Sequence, residues 1–290
     1  RFKSLASSIS TTLPEISPKD ASGAKLEIYQ AIEKALGVRL VNLVYRHLAT
    51  IPGALEWAWA VVGDGFHNKI YEDRSAPLAC YGMRLADVAD NLPTISLKGC
   101  GLTKSDSAAV FTTIDAYNRA NPINALSLRV IALSLTAGWR APAVRTTIKR
   151  PETSAELLPM GDLQNLDREM SKYMSRLTIY VNGMQSDLVP SLFRHFIPWP
   201  SLLAAVCDLL KPLHEDGFIA QSSVQIARQA ESIAKDIFRN LDEVKHTLAP
   251  PDEDIRMALT QTIDQFLPAI CRMIAIGGLL KSSISFDPGK

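Results

Sequence analysis

The arrangement V-x-x-x-(aromatic)-R-H-(apolar)-x-x-x-P-x-x-L is written twice in this chain, once from Val41 and once from Val189. Arg46 and His47 are answered by Arg194 and His195, Pro52 by Pro200 and Leu55 by Leu203, each 148 residues later. Further along, Thr113-Ile114-Asp115 and Tyr117 are answered by Thr262-Ile263-Asp264 and Phe266, 149 residues later. Two matches in register over so much chain imply a duplicated unit. The period is far too long for a stacked solenoid. The architecture expected is two related helical halves fused as a pseudo-dimer with pseudo-twofold symmetry: a first repeat over 1–137, a linker over 138–160 and a second repeat over 161–290.

Helical signals dominate both halves, and the class expected is all-α. In GLTKSDSAAVFTTIDAYN, Thr103 and Asp106 form a near-capping box, followed by Ala109, Val110, Ile114 and Tyr117 at helical spacing. The segment beginning PPDEDIRMALTQTIDQF repeats that plan, with acidic residues in the first turn, where they suit the helix dipole. Further helices are expected over 23–36, 38–48, 52–62, 162–182, 187–195, 199–211 and 219–247. No stretch of comparable length alternates apolar and polar residues as a half-buried strand would. Residues 63–100 are weakly patterned and are expected to wrap the surface. The stretch GWRAPAVRTTIKRPETSAELLPM reads as an exposed linker.

The charge balance excludes several kinds of partner. With 31 basic and 30 acidic residues the net charge is +1, which leaves no field to gather nucleic acid or an anionic membrane. Apolar runs such as LLAAVCDLL fall well short of the ~20 residues of a membrane span, and RFKSLASSIS does not lead into the apolar core of a secretory signal. The four cysteines form no C-x-x-C pair and no zinc-spaced cluster, so free thiols, a cytoplasmic location and no metal are the expectation. The reading leaves room for a homodimer.

Familiar catalytic devices are absent. The chain contains no phosphate-binding loop, no dinucleotide fingerprint, no nucleophile elbow and no H-E-x-x-H. The repeated Arg-His dipeptide stands where a helix end would favour positive charge, so it reads as structural. Cys100, between two glycines, has no identifiable base. The departures from the repeat say more, because an asymmetric reaction in a pseudo-symmetric scaffold needs different groups from each half. Ser186-Asp187 falls opposite Val38-Arg39, and the polar set Asn118, Asn121 and Asn124 falls opposite Leu267, Ile270 and Met273. One half would supply amides, the other a carboxylate and an apolar wall. Capping competes with this reading. Asp187 could open a helix, and Asn121 before Pro122 has the form of an N-cap with proline at the first helical position.

LVNLVYRHLATIPGALEWAWA and GMQSDLVPSLFRHFIPWPSLLAAV resemble the group I 2-haloacid dehalogenases, the DL-2-haloacid dehalogenase family, with a similarity of organisation over nearly the whole chain. The resemblance implies an all-helical fold of two fused halves with the active site between them. It implies hydrolytic release of halide from short 2-halocarboxylates, without cofactor, to give 2-hydroxy acids. An aspartate matching Asp187 would activate a water that attacks C2 directly, inverting configuration in either enantiomer. A family asparagine matches the region of Asn118 and Asn121. Donors for the substrate are sought in Ser186, Tyr117, the asparagines and Arg39. Large aromatics associated with the family's pocket are not found from Arg39 to Val44. Two other functions stay open at this stage: a hydrolase forming an ester on Asp187, and a non-catalytic helical protein that binds a small apolar acid or a partner.

Overall fold

The computed structural model describes residues 12–137, 156–241 and 249–287. Ten helices account for most of them: α1 Gly23–Leu36, α2 Leu43–Leu48, α3 Ala54–His67, α4 Ile70–Val88, α5 Lys104–Ala137, α6 Arg168–Asn182, α7 Ser191–Arg194, α8 Pro200–Glu215, α9 Phe218–Arg239 and α10 Glu253–Ser283. Among the described residues the only strands are β1, Ile95–Ser96, and β2, Ile284–Ser285, a short parallel pair. The all-α class holds.

Local chemistry sets the main boundaries. α1 stops where Gly37 turns left-handed (φ 69°) and returns its amide to the Glu33 carbonyl, a conformation glycine adopts without Cβ strain. α5 opens on the capping box read from sequence: the Asp106 amide donates to Thr103 Oγ1 at 3.1 Å and the Thr103 amide to Asp106 Oδ2 at 3.0 Å. Asp252 caps α10 by accepting the Ile255 amide at 2.9 Å.

Several expectations need correction. The helix read over 38–48 begins only at Leu43, and the preceding Leu40 and Val41 are buried in irregular chain. Residues 63–100 do not simply wrap the surface: α3 runs to His67 and α4 follows, with Tyr71 and Leu78 fully buried. The pattern was obscured by Gly63, Gly65 and Pro77 inside these helices. Gly65 is small for a reason, since a Cβ there would overlap the Tyr71 ring. Asn121 caps nothing, because α5 runs through Pro122 to Ala137. The linker read over 138–160 lies outside the described residues except for 156–160, which are irregular, and the end of the helix read over 219–247 likewise lies beyond them.

Helix starts recur at the spacing of the sequence repeat. Leu43 and Ser191 open α2 and α7, and Ile70 and Phe218 open α4 and α9, 148 residues apart in both cases; Lys104 and Glu253 open α5 and α10, 149 apart. α5 and α10 pack against each other at the centre, with α4 and α9 laid over both. By length and composition α10 is long and apolar enough to cross a membrane, with a mean hydropathy of 1.5 over its most apolar 18 residues, but 78% of that window is buried inside the fold. Here it is the core helix.

Candidate active site

A cavity of about 50 Å³ lies between α5 and α10 and is bounded by α2, Val181 of α6, and the stretch from Leu188 to Leu192. At ~10–15 Å³ for one water on the same measure, it holds roughly three to five water-sized bodies. Its wall contains no charged side chain. Most lining residues pair at the repeat spacings: Asn42 with Pro190, Leu43 with Ser191, Val44 with Leu192, Tyr117 with Phe266, Asn121 with Ile270 and Asn124 with Met273. The first member is polar and the second apolar in four of these pairs. Leu43 and Ser191 reverse the order.

The three asparagines carry unmet hydrogen-bonding capacity. Asn42, Asn121 and Asn124 are 6%, 5% and 0% exposed. Asn42 Oδ1, Asn121 Nδ2, and both Nδ2 and Oδ1 of Asn124 have no hydrogen-bond partner among the described residues. A buried polar group without a partner costs ~1–3 kcal/mol, so three around one cavity mark a place built to receive something polar. Both long helices carry a proline within the lining stretch, Pro122 and Pro268. A proline has no N–H to give the carbonyl four residues earlier, so the helical ladder is interrupted beside the cavity on both walls.

Beneath the cavity lies a cluster of polar contacts. Arg46 Nη2 donates to Ser191 Oγ at 2.8 Å, and Ser191 is close enough to the Tyr117 phenol to favour its charged form. The Tyr117 hydroxyl lies 3.1 Å from His195 Nε2, while His195 Nδ1 faces the Leu158 carbonyl at 2.5 Å. A carbonyl can only accept, so Nδ1 carries the proton and Nε2 takes the phenolic one. Burial holds His195 neutral, pulling its pKa down to about 4 against the Leu158 bond, with Arg46 and Arg194 adding to the depression. Burial likewise pushes Tyr117 up to about 12. The two arginines of the repeat meet on one carboxylate: Arg46 Nε lies 2.5 Å from Glu15 Oε2, and Arg194 Nη1 lies 2.7 Å from Glu15 Oε1. Burial disfavours the Glu15 charge, but the two guanidiniums outweigh it and hold its pKa below the usual value. With two cations to one anion, the cluster is net positive.

Of the residues singled out from sequence, Tyr117 and Asn121 line the cavity. Asp187 adjoins it. Its neighbour Leu188 is in the wall, and its own half-buried carboxylate accepts from Gln265 Nε2 at 3.0 Å, one residue before Phe266. Asp187 caps no helix; among the described residues Oδ2 has no protein partner. Ser186 turns its hydroxyl to the Leu188 amide at 3.0 Å, which fixes the loop that carries Asp187. Asn118 is engaged elsewhere, donating to the Gly277 carbonyl at 3.0 Å. Arg39 pairs with Glu156 at the surface and does not line the cavity. Sequence reading missed Asn42, Ser191 and Gln265 as contributors. No group of His, Cys, Asp or Glu able to hold a metal ion occurs among the described residues.

Solved structures share this fold over almost the whole chain. A D-2-haloacid dehalogenase mutant superposes with a TM-score of 0.79 at 15% identity, covering 94% of this chain and 96% of that one. The chain has the fold of these D-2-haloacid dehalogenase structures. A D-2-haloacid dehalogenase mutant in complex with D-2-CPA gives 0.76 at 16% identity, with 94% and 96% of the two chains covered. A D-2-haloacid dehalogenase with L-LA also gives 0.76 at 16%, covering 94% and 97%. No protein-family model and no curated protein matches this sequence.

Proposed function

We propose that this protein hydrolyses short 2-haloalkanoic acids to 2-hydroxy acids, and that its two halves are related by a pseudo-twofold axis through the cavity. The observation that carries the reading is the small cavity, lined by unmet asparagine amides, in a chain with the fold of the D-2-haloacid dehalogenase structures. The cavity suits a two- or three-carbon acid. Asn121 and Asn124 offer N–H donors to the substrate carboxylate, and the net positive Arg46–Arg194–Glu15 cluster beneath Ser191 favours an anion there. The apolar wall of Phe266, Ala269, Ile270 and Met273 cradles the halogen.

In this mechanism Asp187, held by Gln265, takes a proton from a water whose oxygen attacks C2. The new C–O bond forms as the C–halogen bond breaks; its electron pair leaves with the halide, and the configuration at C2 inverts. The proton on Asp187 then passes to solvent. No cofactor enters. A water can approach either face of C2, which allows both enantiomers of 2-chloropropionate.

The test is halide release from each enantiomer by wild type and by Asp187→Asn. The variant keeps its shape and its Gln265 neighbour but has no base, and a loss of about 10²- to 10⁴-fold is expected. Near wild-type turnover by the variant would remove Asp187 from the mechanism. Single-turnover hydrolysis in labelled water separates direct attack from an ester, since label then enters product without passing through the protein.

A further inference from the structure

A carboxylate only accepts hydrogen bonds, whereas the cavity offers unmet atoms of both kinds. Donors are Asn121 Nδ2 and Asn124 Nδ2; acceptors are Asn42 Oδ1 and Asn124 Oδ1. Exchanging the oxygen and nitrogen of an asparagine amide does not alter this at Asn124, where both atoms are unmet and the side chain is fully buried. An acid bound there meets one N–H and one opposing lone pair. A carboxamide meets the same edge with its own C=O and NH₂, closing two hydrogen bonds, as the asparagine side chain does with the paired donor and acceptor of adenine. The wall contains no cation that demands an anionic partner. Arg46 stands behind Ser191 and shares Glu15 with Arg194, so the cluster's net positive charge favours an acid without excluding a neutral substrate.

We infer that the site also accepts neutral 2-halocarboxamides and converts them to 2-hydroxycarboxamides, with Asn124 as the residue that recognises the amide. The inference rests on the dehalogenase reading above. Chemistry at C2 is unchanged: a water oxygen bonds to C2, the halide departs with the C–halogen pair, the proton goes to Asp187 and then to solvent, and the amide C–N bond stays intact. Asn42 Oδ1, on the first-half wall, serves as a second acceptor for the substrate NH₂ or for a water beside it.

The experiment measures halide release from 2-chloropropionate and 2-chloropropionamide side by side, with lactate and lactamide as the products followed. Expected is turnover of the amide with kcat/KM within about tenfold of the acid. In Asn124→Leu, which keeps the bulk and removes both polar atoms, the amide-to-acid ratio is expected to fall about tenfold, the worth of one further hydrogen bond. Should that variant fail to fold, competition in the wild type decides: unhalogenated propionamide is expected to inhibit acid turnover in the same concentration range as propionate. Turnover of the acid with neither turnover of the amide nor inhibition by propionamide overturns this inference and leaves the proposed function standing. Halide from neither substrate overturns both.

Discussion

His195 is a residue whose burial has a measurable cost. Its ring is 3% exposed and sits between the Tyr117 hydroxyl and the Leu158 carbonyl, with Arg46 and Arg194 close by. Its pKa falls from 6.5 in the unfolded chain to about 4 in the fold, so between those values the unfolded chain binds more protons. The stability tied to the neutral ring is complete above pH 6.5 and is lost as pH falls toward 4, by up to about 3 kcal/mol. Denaturant unfolding at pH 7 and pH 4.5 is expected to show a drop in wild type that His195→Gln flattens. The lining of the candidate site was partly legible at this scale. Tyr117 and Asn121 were found because their partners in the repeat are Phe266 and Ile270, and a polar-to-apolar departure shows in sequence. Asn42 and Ser191 depart from the repeat in the same way, opposite Pro190 and Leu43, and the same comparison identifies them. Gln265 carries no such mark, since its part depends on where the Asp187 loop lands.

At the scale of elements, the crossing of α4 and α10 depends on two glycines. A Cβ at Gly82 would lie 2.7 Å from the Ile274 carbonyl oxygen, and one at Gly278 would overlap the Gly82 carbonyl. Backbone cannot move aside as a side-chain tip can. Gly278→Ala is therefore expected to lower the melting temperature, by an overpacking cost of about 1–3 kcal/mol, and a thermal melt checks it. Where capping chemistry marks an end, as at the C-terminal end of α1 and at the starts of α5 and α10, the boundary could be read to within a few residues. α4 could not, because the small residues that allow the close crossing also dilute its apolar period. The buried but irregular approach to α2 was read as helix because apolar periodicity reports burial as well as helical geometry.

For the whole molecule, the segment before α1 matters more than its length suggests. The Leu13 amide donates to the Asp187 carbonyl, the Ile16 amide to the Arg46 carbonyl, and Glu15 between them bridges Arg46 and Arg194. Glu15→Gln leaves two guanidiniums, one of them fully buried, with no anion between them. A loss of about 3–5 kcal/mol is expected by denaturant unfolding. In wild type this contribution goes only when Glu15 itself is protonated, below its ordinary 4.5 and so below most of the His195 window. These few residues behave like a ligand that happens to share the chain. Their tether holds them at a high effective concentration, of the order of millimolar for a short flexible link. Cut between Glu15 and α1, the same contacts would become bimolecular, and the core and the backbone that carries Asp187 would then depend on how much free peptide is present.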